Sequence, residues 1–82
     1  MFKPFPGKIE IEPMDNQGLI LAHEKYEEMG KVIQVGEGVD WVSEGDIVFF
    51  LAYGVEQTPD YQGKIHYVVP ANEKFLIGKY VP

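Results

Sequence analysis

Glu10 and Glu12 are the first residues in this chain whose type and spacing suit chemistry. In an extended segment residues i and i+2 share a face, so two carboxylates would stand side by side, as general acid/base work requires. The same alternation is ordinary for a half-buried strand. With Ile9 and Ile11 interleaved, Glu10 and Glu12 are expected to face water. His23 and His66 are the only imidazoles; they lie far apart, and neither has a carboxylate beside it at a metal-site spacing, so no metal centre is expected. His66 falls on the face opposite Ile65, Tyr67 and Val69 and is expected to be solvated. Gly36-Glu37-Gly38 suggests a phosphate loop, but a third glycine and a following helix are missing, which leaves a tight turn. One serine, Ser43, one threonine, Thr58, and no cysteine leave a nucleophile–base arrangement almost without candidates. The expectation is a binding module that is not an enzyme and takes no cofactor.

The elements that must position these residues are organised around residues 30–38 and 44–51, two β-branched and aromatic runs fenced by glycines. Before them, Pro4 and Pro6 force an extended lead into a strand at residues 8–12, which Pro13 ends. Asp15-Asn16-Gln17-Gly18 forms a turn, and Leu19-Ile20-Leu21 follows as an apolar tripeptide within polar sequence. It reads either as a binding patch or as cover for one end of the fold. Ala22, Tyr26 and Met29 are spaced as on a short helix ending at Gly30, a second option beside a plain loop. Strands are expected at 31–35 and at 47–51, the latter the most apolar and so the most buried. Trp41 between them either plugs the end of the fold or stands at an interface; the area an indole buries favours the plug. Residues 52–56 bend and continue at an edge, 57–63 make a hairpin loop, 64–69 return as a strand, and 75–81 close the chain as the last one. Short strands at regular spacing mean a small all-β barrel.

Eighty-two residues make a single domain, 1–82, whose stability alone is marginal. Disulfides are excluded and metal is not expected, so self-association is the remaining source of support. The net charge of −6, with seven scattered lysines as the only cations, argues against nucleic acid or an anionic membrane surface as partner. No apolar run reaches membrane-span length and the first residues do not begin a signal peptide, so a cytoplasmic location is expected.

These motifs, in order, resemble the GroES-type co-chaperonin family. Lys3-Pro4-Phe5-Pro6-Gly7-Lys8-Ile9-Glu10-Ile11 is similar to the family's (Lys/Arg)-Pro-Leu-x-Asp-Arg-Val-x-Val opening, with Gly7-Lys8 in place of Asp-Arg. Gly18-Leu19-Ile20-Leu21 resembles the Gly-Ile-Val-Leu anchor of the family's chaperonin-binding loop. Residues 30–38 are similar to Gly-x-Val-x-Ala-Val-Gly-x-Gly, residues 44–50 to Val-Gly-Asp-x-Val-x-Phe, and Tyr53-Gly54-Val55 to Tyr-(Gly/Ala)-(Val/Gly); residues 75–81 sit where the family has its closing strand. The likeness covers nearly the whole chain. It departs at a shortened loop between Pro13 and Gly18 and at residues 39–43, which replace the roof hairpin of bacterial members, as in phage-encoded ones.

The resemblance implies a small irregular GroES-like β-barrel with a loop region at about residues 14–29. It implies a homo-oligomeric, seven-membered ring in which the first strand of one subunit pairs with the last strand of the next, making Phe5, Ile9, Phe75, Leu76, Ile77 and Tyr80 interface residues. It further implies that Gly18, Leu19, Ile20 and Leu21 bind an ATP-bound GroEL-type chaperonin, which encloses and folds clients. The short loop motivates an alternative, a structural or adaptor barrel that has lost chaperonin contact.

Overall fold

The computed structural model describes residues 3–14, 27–59 and 63–81, which form an all-β fold. Six strands, β1 (Lys8–Pro13), β2 (Glu27–Val35), β3 (Ile47–Leu51), β4 (Glu56–Pro59), β5 (Ile65–Pro70) and β6 (Leu76–Tyr80), make one antiparallel sheet in the order β4-β5-β1-β2-β3-β6. The sheet does not close, since β4 and β6 lie at its two ends without pairing to each other. The barrel is therefore a loose one. Among the described residues no helix is long and apolar enough to cross a membrane.

Alternation within the strands sets the core. Ile9 and Ile11 of β1 stand opposite Val69 and Tyr67 of β5, and Ile11 stands opposite Val32 of β2. Ile9, Ile11, Val32 and Val69 are buried together with Val48 and Phe50 of β3, Leu76 of β6 and Val42 from the link before β3, and Tyr67 packs against them partly buried. Each fully buried aliphatic or aromatic side chain contributes about 1.5–3 kcal/mol relative to exposure. Phe50 also meets Tyr67 edge to face, with ring centroids 5.5 Å apart. Pairing shifts at Glu10/Ile11, where β2 carries the extra residue Ile33, and again at Phe49/Phe50 against β6, the kind of irregularity that bends a strand locally.

Two glycines of the organising stretch are there because nothing larger fits. A Cβ at Gly30 would run into Ile11 Cγ2, and one at Gly36 would run into the Phe5 carbonyl oxygen. Gly36 N–H donates to Lys8 O at 2.7 Å and Gly7 N–H to Glu37 O at 2.9 Å, which straps the residues ahead of β1 against the end of β2.

Several sequence expectations shift. β2 begins at Glu27, so residues 27–29 belong to a strand rather than to a loop region or the end of a helix, and Gly30 lies inside the strand. Gln57, Thr58 and Pro59 are strand β4 rather than hairpin loop; an edge strand tolerates proline because one side of it needs no N–H. Trp41 does not plug the core. It is 52% exposed, and Lys79 lies over its ring, Nζ 5.2 Å from the centroid, while donating a 2.6 Å hydrogen bond to the Trp41 carbonyl.

Candidate functional site

The expected loop anchor, Gly18, Leu19, Ile20 and Leu21, lies outside the described residues, as do His23 and residues 22, 24, 25 and 26 of the helix option. What the structure fixes is the stem that carries it. β1 and β2 are sheet neighbours with Pro13 opposite Gly30, and Met14 N–H donates to Met29 O at 2.9 Å, closing the base of the connection. Neighbouring antiparallel strands need only about two to five linking residues, so a connection reaching from Met14 to Glu27 is surplus to the hairpin itself. The stem is also tied across the core: Tyr67 of β5 donates its hydroxyl to Glu28 Oε2 at 3.2 Å. Burial, then the Glu28 charge, then this hydrogen bond push the Tyr67 hydroxyl above its ordinary value.

On the opposite face the structure brings together residues that the sequence reading kept apart. Glu10 does not face water and His66 is not solvated: they are 5% and 6% exposed, and His66 Nδ1 sits 2.9 Å from Glu10 Oε2. Gln34 of β2 donates to the other carboxylate oxygen, Oε1, at 3.2 Å. Glu10 is opposite Val68 on one side and Gln34 on the other, which makes His66 its diagonal neighbour across β1 and β5. Fifty-six positions separate the two in sequence, so only the strand pairing could have revealed them. An imidazole–carboxylate pair is half of a general-base arrangement, but neither residue lines the 280 Å³ groove that borders β4, and Ser43 is held in a turn by Asp46. Among the described residues no cluster of three or more His, Asp or Glu side chains could hold a metal ion. With Gln34, the pair links three strands, β1, β5 and β2.

The interface residues implied by the resemblance separate into two groups. Ile9 and Leu76 are buried in the subunit's own core, and Phe75 is partly buried against it. Phe5, Ile77 and Tyr80 are 75%, 51% and 53% exposed. β1 itself is an interior strand, flanked by β2 and β5, so its edges are already filled within the chain. Beside β6 a groove of about 340 Å³ is bounded by Trp41, Ala71, Leu76 and Ile77, with Glu73 at its rim. Trp41, absent from the expected interface residues, belongs to this surface.

The chain matches no family model and no curated protein sequence.

Proposed function

We propose that this chain is the subunit of a co-chaperonin that caps a GroEL-type chaperonin and helps to enclose a folding client, with no catalysis of its own. The observation that carries the proposal is the apolar Leu19-Ile20-Leu21, placed in the surplus connection between β1 and β2, in a chain whose other motifs follow the GroES-type order. Three features support it: the all-β fold, the glycine-only positions 30 and 36 inside the family-like motif, and the exposed Phe5, Ile77 and Tyr80. One apolar tripeptide binds weakly, because a loop loses entropy as it orders. Several copies on one ring raise the combined affinity by about 10²–10⁴ over a single site.

The test is functional. The protein is expected to slow the ATP turnover of a GroEL-type double ring and to support refolding of a stringent client. Ile20→Asp is expected to abolish both while leaving the protein's native mass unchanged, since a desolvated carboxylate in an apolar groove is costly. Unaltered capture by the chaperonin would move the anchor elsewhere. Failure of the parent protein to engage the chaperonin would favour the adaptor alternative motivated by the short loop.

A further inference from the structure

We propose that Tyr67 is a positioning residue for chaperonin binding: its hydroxyl bond to Glu28 pins the point where the long connection re-enters the sheet, and so sets how tightly the expected anchor engages. The inference rests on the proposed function and deepens it.

The connection departs from β1 beyond Met14 and returns at Glu27, the first residue of β2. Pro13 opposite Gly30, and the bond from Met14 N–H to Met29 O at 2.9 Å, hold the departing side. The returning side overhangs these contacts. Glu27 and Glu28 pair with Leu51 and Phe50 of β3, and among the described residues neither has a β1 residue opposite it. A strand end paired on one side opens at little cost. Tyr67 supplies the second tie.

β1 lies between β5 and β2, so the 3.2 Å bond from the Tyr67 hydroxyl to Glu28 is a chord across the inside of the fold rather than part of a ladder. Glu28 stands opposite the fully buried Phe50, and residues directly opposite share a face. The Phe50 ring meets the edge of Tyr67, so ring and hydroxyl hold the same corner. Next along this face of β2, a Cβ at Gly30 would run into Ile11 and the Phe50 ring, which places the backbone close against the core. Burial and the Glu28 charge hold the phenol's proton on, so Tyr67 remains a donor at neutral pH. A carboxylate acceptor makes the bond stronger than a neutral one.

Without the hydroxyl, Glu27 and Glu28 are free to part from β3 and lengthen the connection. Fixing the backbone of one freed residue again on binding weakens a contact by roughly 5–30-fold.

Tyr67→Phe keeps the ring and its edge contact and removes only the bond. Variants are first matched to the parent by circular dichroism and native mass, and all readings are taken well below every melting transition. Amide exchange followed by NMR is expected to quicken at Met14 N–H but not at Gly36 N–H, whose 2.7 Å bond to Lys8 O closes the far end of the same strand pair. The concentration that half-maximally slows ATP turnover of a GroEL-type double ring is expected to rise by about tenfold. Glu28→Gln keeps an acceptor oxygen and is expected to fall between parent and Tyr67→Phe, while adding it to Tyr67→Phe is expected to change nothing more. Equal quickening at both amides with an unchanged half-saturating concentration would overturn the proposal, leaving Tyr67 a general stabiliser. A parent that engages the chaperonin no better than Tyr67→Phe would overturn the positioning role alone. A parent that does not engage it at all would remove the proposed function and this role together.

Discussion

Removing the imidazole of His66 is the most informative single perturbation of the fold. The carboxylate of Glu10, 5% exposed, would lose the 2.9 Å contact to Nδ1 and keep the 3.2 Å bond from Gln34. Deleting one partner of a buried pair typically costs about 3–5 kcal/mol, because the other charge stays desolvated. An 82-residue domain has only about 4–12 kcal/mol in total, at roughly 0.05–0.15 kcal/mol per residue. His66→Leu is therefore expected to take away a large part of the stability and to lower the melting temperature by about 12 °C or more, at about 4–8 °C per kcal/mol. Glu10→Leu is expected to cost less, since it leaves no desolvated carboxylate behind. The double variant Glu10→Leu/His66→Leu is expected to be more stable than His66→Leu, because apolar groups of similar volume need no partner. Urea unfolding followed by circular dichroism measures all four proteins, at one protein concentration because assembly would contribute to apparent stability. Single variants within about 0.5 kcal/mol of the parent, or a double variant equal to the sum of the singles, would refute the coupling.

Gly36→Ala is expected to cost about 1–3 kcal/mol by overpacking against the Phe5 carbonyl, and more than Gly38→Ala, whose φ of 85° is unfavourable but whose Cβ meets nothing within 4 Å; thermal melts of the two variants rank them. Tyr67 holds its proton more tightly in the folded state than its ordinary 10.0. The stability this contributes is complete below the unfolded value and is lost as pH rises through the folded one, so Tyr67→Phe is expected to flatten part of the alkaline fall in stability. Glu28→Gln is expected to shift the tyrosinate titration of Tyr67 downward, read as the difference from Tyr67→Phe, without restoring the ordinary value, because burial is the larger cause. Ile20→Asp is expected to remove chaperonin capture without changing native mass, as pull-down with ATP would show.

The strands were legible where alternation or a continuous apolar run was strong. Ile9 and Ile11 face the core, and the third strand spans Ile47–Leu51 as the sequence suggests. Edges and pairings were not legible. Thr58-Pro59-Asp60 has turn chemistry, yet the first two of these residues extend β4, because one side of an edge strand needs no N–H and so tolerates proline. Glu27 and Glu28 look like loop composition but start β2, where Glu28 has a buried-side partner in Tyr67. The burial of Glu10 and His66 depends on the register of β1 against β5, a contact between distant segments that no local pattern records. Trp41 is large enough to plug a core, but Val42 beside it fills that place and the indole is left outside with Lys79. For the proposed binding anchor, Gly18-Leu19-Ile20-Leu21, the sequence remains the source, and the structure contributes the stem at Met14 and Met29.

Native mass of the protein, taken alone and then with a GroEL-type double ring and ATP, tests the central claim most directly. The co-chaperonin assignment predicts a discrete homo-oligomer that, on mixing, adds as a single unit to one end of the double ring. A monomer that leaves the mass of the double ring unchanged would contradict it.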